Sequence, residues 1–273
     1  MPAGTRPTTN PSVSDLERIV AHLCAIEDAV AERAEPLPWG TAVYHPGVPW
    51  VREVNVVRVE TTSRSVTAAE LAHAARERFP ALPAVEILHE PLGAAVAPRF
   101  AAAGWRVSRH LLMALLEPPP APALPVDEVP VDEVWPLREE WMRSEPWGTE
   151  AAVTAMLEWE RGRADLTGAR AFCARDGVRP VAMCLLLATD HADEVERVYT
   201  SPAYRGRGLA HAVVAHAARE AGDQLTFLFT DAHGAAQHLY ARLGFRRQWV
   251  VYRFATTMTS PEGGGPQSRL PPA

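Results

Sequence analysis

The chain has 273 residues, of which 47% are hydrophobic, so one or two domains with sizeable cores are expected. Its formal net charge of −6, without a basic stripe, argues against a nucleic-acid partner. Cys24, Cys173 and Cys184 have neither metal-ligand nor disulfide spacing, and no apolar run reaches the length of a membrane span. We therefore expect a cytoplasmic protein without a metal site, a nucleic-acid partner or a membrane partner.

Composition shifts divide the chain into two domains. Residues 1–13, rich in Pro and Thr, and residues 259–273, with Gly-Gly-Gly and Pro-Pro, are predicted to be disordered tails. Residues 117–125, Glu-Pro-Pro-Pro-Ala-Pro-Ala-Leu-Pro, are predicted to be a stiff, extended linker. The predicted domains are therefore residues 14–116 and 126–258.

The first domain shows the apolar periodicity of three helices and four strands. The helices are expected at residues 14–34, with Ser14 as N-cap, 68–79 and 92–102, and the strands at 41–44, 54–59, 85–88 and 107–115.

The second domain contains a glycine-rich turn, Arg205-Gly206-Arg207-Gly208-Leu209-Ala210. It lies between an alternating apolar stretch, residues 195–200, and a helix-like run, residues 211–220. Glycines let backbone N–H groups approach an anion, and a helix N-terminus adds free donors and a partial positive charge. The pattern favours a phosphate-binding turn, although a strand-to-helix turn also uses glycine for steric reasons alone.

The residues after this turn strengthen the interpretation. A strand is predicted at residues 224–230, a helix at 235–243 with Tyr240 on its apolar face, Gly244 as C-cap, and a strand at 248–254. In this order and spacing the chain resembles the GCN5-related N-acetyltransferase (GNAT) superfamily. The matching motifs are Arg205-Gly206-Arg207-Gly208-Leu209-Ala210, Val198-Tyr199-Thr200-Ser201-Pro202 and Leu239-Tyr240-Ala241-Arg242-Leu243-Gly244-Phe245.

The resemblance implies an acetyl-CoA cosubstrate and a set of contacts to it. The pantetheine arm would pair with the strand at Val198, Tyr199 and Thr200, in a gap beside the next strand. The pyrophosphate would rest on the backbone N–H groups of residues 205–210, namely Arg205, Gly206, Arg207, Gly208, Leu209 and Ala210. His233 stands where the family often has an asparagine that contacts the cofactor; because a histidine can donate the same kind of hydrogen bond, His233 is included among the expected cofactor contacts.

The resemblance also implies catalytic roles. Tyr240 matches the tyrosine whose hydroxyl protonates, or hydrogen-bonds to, the departing CoA sulfur. The attacking amine must lose a proton, and the family often carries a base on the strand before the glycine-rich turn. Residues 194, 196 and 198 alternate on one face of that strand, so Glu196 is our first choice for the base and Glu194 the second.

The first domain echoes the second. Arg99-Phe100-Ala101-Ala102-Ala103-Gly104-Trp105 echoes the motif around Tyr240, and Leu71-Ala72-His73-Ala74 echoes Leu209-Ala210-His211-Ala212. The sequence therefore predicts an α/β (α+β) protein of two tandem acyl-CoA N-acyltransferase-like domains, each a mixed, mostly antiparallel sheet flanked by helices. The first copy lacks glycine at residues 61–66 and has Phe100 in place of Tyr240, which indicates a degenerate copy.

The resemblance also implies where the acceptor binds. Family resemblance places its pocket near residues 143–149, where Trp141, Trp147 and Trp159 either stack on a flat acceptor or pack the helices. We expect acetyl transfer to a small-molecule amine by direct attack in a ternary complex, in a monomer or homodimer. The alternatives are a non-catalytic acyl-CoA-binding or regulatory protein, or a transferase that uses another acyl-CoA or a protein amine.

Overall fold

A computed structural model describes residues 13–52, 54–63 and 65–256 of the chain. Apart from Val13, the predicted disordered tails lie outside the described residues. Among the described helices, none combines the length and apolar character needed to cross a membrane.

The described residues form seven helices and eleven strands, joined by short turns and two 3₁₀ turns. The helices are α1 Val13–Val30, α2 Ala68–Arg78, α3 Glu90–Ala102, α4 Trp135–Ser144, α5 Glu150–Thr167, α6 Leu209–Glu220 and α7 Ala236–Arg242. The strands are β1 Arg33–Leu37, β2 Gly40–Tyr44, β3 Val56–Val59, β4 Ala84–Ile87, β5 Trp105–Leu115, β6 Asp127–Val129, β7 Arg170–Asp176, β8 Arg179–Ala188, β9 Asp193–Thr200, β10 Thr226–Asp231 and β11 Phe245–Thr256.

The same series of elements occurs twice along the chain. The first half runs β1, β2, β3, α2, β4, α3, β5, and the second half runs β7, β8, β9, α6, β10, α7, β11. In each half the third and fourth strands pair in parallel, and the other strand pairs are antiparallel. The predicted tandem fold, with mixed and mostly antiparallel strands flanked by helices, is thus confirmed.

The two halves exchange their last strands within one sheet. The strand order is β1-β2-β3-β4-β11-β5-β10-β9-β8-β7-β6, so β11 lies between β4 and β5, and β5 lies between β11 and β10. Strands β5 and β11 pair along their whole length, from Trp105 opposite Thr256 to Leu115 opposite Phe245. The two predicted domains are therefore successive repeats along the chain that share a single sheet.

Helices cover both faces of this sheet. Leu71, Phe100, Val213 and Tyr240, from α2, α3, α6 and α7, belong to one buried cluster. Residues of α1, α4 and α5 form the buried clusters of the opposite face. Strand β8 contributes to both faces by alternation, which explains its uninterrupted apolar sequence.

Two predictions at the start of the chain were wrong. Helix α1 begins at Val13, so Ser14 lies in its first turn and not before it. The helix ends at Val30 because residues 33–37 form strand β1, which pairs with β2 across a tight turn. Arg33-Ala-Glu-Pro-Leu has little strand character of its own, and cross-strand contacts with Tyr44 hold it: Arg33 stacks on the ring and Glu35 accepts from its hydroxyl.

Candidate active site

Strands β9 and β10 separate shortly after they meet. They pair only at Asp193 with Thr226 and Glu194 with Phe227, so residues 195–200 have no strand partner on the β10 side. The cause is a bulge in β9, where the register with β8 shifts and Arg197 has a left-handed φ of 54°. A bulge bends its strand and increases the local twist, which opens a gap in the sheet here.

The bulge also changes which side chains of β9 share a face of the sheet. Val195 and Val198 both belong to the cluster under α6 and α7, whereas Glu196 pairs with Arg163 of α5 on the opposite side. The prediction that Val198 shares a face with Glu194 and Glu196 was therefore wrong, because the extra residue at Arg197 shifts the alternation by one.

The gap between β9 and β10 connects the two faces of the sheet. Val198, Phe229, Thr230 and Asp231 line it along the two strands, with Tyr240 from α7 on one side and Trp141 from α4 on the other. Tyr240 is 4% exposed, and its hydroxyl has no hydrogen-bond partner among the described residues. Burial, with a smaller contribution from Cys184, raises the pKa of Tyr240, so this phenol keeps its proton at neutral pH.

The glycine-rich turn follows β9 at the open end of the gap. Gly206 and Gly208 adopt φ values of 75° and 79°, a region that glycine enters without a steric penalty. Helix α6 begins at Leu209 with no side-chain cap. Among the described residues, the backbone N–H groups of residues 206–211 have no hydrogen-bond acceptor. The turn therefore presents a row of free donors at the N-terminus of a helix, as anion binding requires.

The side chains of the turn hold its shape. Arg205 Nε donates to the Thr200 carbonyl at 3.2 Å, and Arg207 Nη2 donates to the Ala203 carbonyl at 3.1 Å. The hydroxyl of Ser201 donates to Glu140 of α4 at 2.9 Å. Glu140, to which the sequence analysis gave no role, thus supports the turn from the opposite face.

The other predicted cosubstrate contacts have different surroundings. Val198 lines the gap, whereas the Tyr199 side chain turns to the α4 side and donates to Glu140 at 3.3 Å. Thr200 Oγ1 is buried without a partner in the described part of the chain. His233 is exposed in a turn, where its backbone N–H donates to Asp231 Oδ1 at 2.7 Å. The His233 side chain does not line the gap.

The two candidate bases differ in their partners. Glu196 forms a bidentate pair with Arg163, at 2.5 and 3.1 Å. Burial alone raises the pKa of Glu196, but Arg163 and Arg197 outweigh it and hold the pKa at about 2, which makes this carboxylate a weak base. Glu194 has no such arginine among its described contacts, and its Oε2 lies 3.6 Å from His22 Nε2.

Comparisons with known proteins agree with this geometry. The sequence model described as the Acetyltransferase (GNAT) family matches residues 132–245. Residues 132–245 are a GNAT domain. No curated protein matches the chain.

Solved structures resemble the chain over both halves. A GCN5-related N-acetyltransferase from Kribbella flavida is 18% identical, with a TM-score of 0.63 over 92% of this chain and 97% of that one. A tandem GNAT protein from the clavulanic acid biosynthesis pathway is 15% identical, with a TM-score of 0.52 over 92% and 94%. A protein of unknown function from Staphylococcus epidermidis is 12% identical, with a TM-score of 0.64 over 83% and 94%. At these identities the likeness shows a shared fold.

A second cavity, of about 180 Å³, adjoins the gap of the GNAT domain on the α1 and α5 face. Val195, Glu196, Arg197 and Phe229 line both spaces. The cavity walls come from both halves of the chain: the first contributes Leu23, Glu27, His45, Glu86 and His110, and the second contributes Trp159, Arg163, Glu194 and Arg253.

The tryptophans of the second half divide between packing and this cavity. Trp159 lines it and donates through its indole N–H to His45 Nδ1 at 3.2 Å, which joins the halves. Trp141 and Trp147 pack edge-to-face on each other at 5.9 Å. Residues 143–149, the expected acceptor loop, do not line the cavity.

In its described residues, the first half lacks the gap of the GNAT domain, and two of the backbone N–H groups at the start of α2 are already satisfied. Strands β3 and β4 stay paired to their ends, at Val59 with Ile87, and the Leu88 N–H continues the pairing to the Val59 carbonyl. Helix α2 is closed by a capping box in which Thr67 and Glu70 satisfy each other's backbone N–H groups.

The helix caps show which residues of the two repeats correspond. Thr67 and Gly208 hold the same cap position, so Leu71 corresponds to Ala212, and the suggested match of Leu71 with Leu209 was wrong. Phe100, in place of Tyr240, stacks on Phe254 with ring centroids 4.2 Å apart.

Proposed function

We propose that this protein is an N-acetyltransferase that transfers the acetyl group of acetyl-CoA to an amine of a small molecule, by direct attack in a ternary complex. The observation that carries the proposal is the sheet opening between β9 and β10, which has a free anion-binding turn at one end and Tyr240 on its wall. The fold and the family match support acyl transfer in general.

The free backbone groups fit the cosubstrate. Phosphate oxygens would accept from the N–H groups of residues 206–211, which are fixed before binding by the hydrogen bonds of Arg205 and Arg207. The amide-containing arm would lie along residues 195–200 of β9, whose side facing β10 has no strand partner. Acetyl-CoA would thus complete the pairing that the bulge interrupts.

In the transfer step, the amine nitrogen bonds to the acetyl carbon while the carbon–sulfur bond breaks. Tyr240 would donate a hydrogen bond to the departing sulfur. Because the pKa of Tyr240 is raised above an already weakly acidic value, we assign it hydrogen-bond donation rather than complete proton transfer to the thiolate.

The base would be Glu194. Of the two carboxylates that the sequence suggested, Glu196 is paired with Arg163. Glu194 lines the cavity that both halves share, and its described contacts include no arginine. An alkylammonium ion that enters the cavity would give its proton to Glu194, directly or through a water, and then attack as the free amine.

The acceptor would bind in the cavity that both halves line. Its partly enclosed, mixed apolar and charged walls suit a small molecule better than a protein segment. The first half, with its closed β3–β4 pair and capped α2, would serve as a wall of this site and bind no acyl-CoA.

Calorimetric titration with acetyl-CoA tests the proposal. Gly208→Glu should abolish saturable binding, because it adds bulk and negative charge to the turn. Gly104→Glu is the matched control, since Gly104 lies in the first half, has the same φ of 79°, and leaves open space for 4 Å around an added Cβ atom. Binding that persists in Gly208→Glu would overturn the cosubstrate assignment.

A mass-spectrometric screen of small-molecule amines with the wild-type protein then tests transfer. An acetylated product that Gly208→Glu does not form supports the enzyme. Saturable binding without any acetylated product across the screen would favour a non-catalytic acyl-CoA-binding protein.

A further inference from the structure

A histidine of the first half is buried against the β9 strand of the GNAT domain. His22, on α1, has no exposed surface. Its Nδ1 lies 2.8 Å from the Ala192 carbonyl oxygen and 3.0 Å from Thr189 Oγ1. A carbonyl only accepts hydrogen bonds, so Nδ1 carries a proton and donates it. In the neutral ring, Nε2 is then an acceptor.

The other ring nitrogen points at Glu194. His22 Nε2 is fully buried without a hydrogen-bond partner among the described residues, and it lies 3.6 Å from Glu194 Oε2. This separation exceeds a normal hydrogen bond. The ring is held in place by Phe227, which it meets edge-on at 5.1 Å.

We propose that His22 is a positioning residue for acetyl transfer: it forms with Glu194 a proton-accepting pair, in which the first half of the chain supplies the group that stabilises the protonated carboxyl. The inference rests on the proposed function, with Glu194 as the base. It gives the degenerate half a direct part in the chemistry.

The proton transfer balances without another reactant. One N–H bond of the acceptor's ammonium group breaks, its electron pair stays on nitrogen, and a new O–H bond forms on Glu194. That O–H then donates to the lone pair of His22 Nε2, and the 3.6 Å separation shortens to a hydrogen bond. The pair returns to its first state when the proton leaves to solvent with the products.

Other charged groups surround the pair, and most are already paired. Asp193 adjoins His22, and burial raises the pKa of Asp193. On the cavity walls, Glu196 pairs with Arg163 and Glu86 with Arg253, while Arg197 reaches Glu160.

Three more titratable groups line the cavity. Burial lowers the pKa of His45, and it lowers the pKa of His110 to about 3, so His110 stays neutral near pH 7. Burial raises the pKa of Glu27 to about 7, so Glu27 titrates in the working range and needs its own control variant.

Kinetics of paired variants test the proposal. The variant His22→Asn keeps a donor near the Nδ1 position, whereas His22→Gln places its amide near the Nε2 position. We expect His22→Asn to lower kcat about tenfold, with KM for acetyl-CoA unchanged, and to move the acidic limb of the pH–rate profile. His22→Gln should restore part of the rate, and Glu27→Gln should leave the effect of His22→Asn in place.

The decisive comparison is a double-mutant cycle. In a Glu194→Gln background, His22→Asn should change kcat less than about twofold, because the pair is already broken. An equal loss in both backgrounds would overturn the proposal, since it would show a role independent of Glu194.

Nitrogen-15 NMR of histidine-labelled full-length protein tests the pair without turnover. We expect His22 to be protonated at Nδ1 and unprotonated at Nε2, with an Nε2 resonance that shifts in Glu194→Gln and not in Glu27→Gln. A protonated Nε2, or a resonance unmoved by Glu194→Gln, would refute the pair even if acetyl transfer is confirmed. An observed pair in a protein that acetylates no amine would instead refute the proposed function.

Discussion

Arg163 and Glu196 form a bidentate ion pair where the β9–β10 gap meets the cavity shared by the two halves. Arg197, the bulge residue, reaches Glu160 at 3.2 Å, and Glu160 in turn binds Arg138 of α4 at 2.7 and 2.9 Å. These ion pairs tie the bulge to both helices of the α4–α5 layer. Glu196 therefore helps to hold the strand conformation that opens the gap.

Glu196→Gln should change stability more than it changes chemistry. The folded-state pKa of Glu196 is about 2, below its ordinary 4.5, so its stabilising contribution is present above pH 4.5 and is lost as the pH falls toward 2. That contribution is at most about 3 kcal/mol. Urea unfolding at pH 7 should show a much lower free energy of unfolding for the variant than for the wild type. Between about pH 5 and pH 2, the free energy of unfolding should fall less steeply in the variant than in the wild type.

A double variant separates charge pairing from packing. In Arg163→Met with Glu196→Gln, part of the stability should return, because a buried pair replaced on both sides leaves no unpaired charge. We expect Glu196→Gln to retain most of the turnover. A collapse of kcat in Glu196→Gln, with folding intact, would return the base assignment to Glu196.

Tyr240→Phe should lower kcat by about 100-fold, as is usual when a buried site loses one hydrogen-bond donor to the charge that develops in the transition state. Affinity for acetyl-CoA and the melting temperature should change little, because the hydroxyl has no partner among the described residues and the ring remains in its cluster. Tyr204→Phe is the control, since its hydroxyl bonds exposed Asp176 outside the gap. Equal rates for wild type and Tyr240→Phe would exclude the assigned role.

One chain should bind one acetyl-CoA. In the first half, β3 and β4 leave no opening, and the Glu70 carboxylate already occupies the Thr67 N–H at the start of α2. Calorimetry of the wild type should therefore give a stoichiometry near one. Two binding events, or one that survives in Gly208→Glu, would show that the first half binds the cosubstrate.

Cutting the linker should not separate the halves. Residues 120–123 lie between β5 and β6. In the shared sheet, β11 of the second half pairs with β4 and β5 of the first, and β5 of the first half pairs with β10 and β11 of the second. A protease site inserted there should yield two fragments on a denaturing gel and one species of unchanged size in native gel filtration, with acetyl-CoA binding retained. Dissociation on cleavage would contradict the strand exchange.

Local signals in the sequence predicted the parts of the site that depend on neighbouring residues. The glycine-rich turn, its helix and the helix of Tyr240 lie where expected, because short-range spacing determines them. The sequence did not reveal the bulge at Arg197, which depends on pairing with β8. It also did not distinguish Glu196 from Glu194, because the distinction comes from Arg163 and His22, far apart in sequence and close only after folding.

The position of β5 limits what can be transplanted. Strand β10, one wall of the gap, is paired on its other edge with β5, from Phe227 opposite Ala114 to Asp231 opposite His110. A graft of the GNAT segment alone would leave that wall without its neighbour and the cavity without half of its lining. The smallest unit that can be transplanted to engineer a new acceptor preference is therefore the whole tandem. Because both repeats line the cavity, substitutions in the first repeat can change the acceptor preference as directly as substitutions in the second.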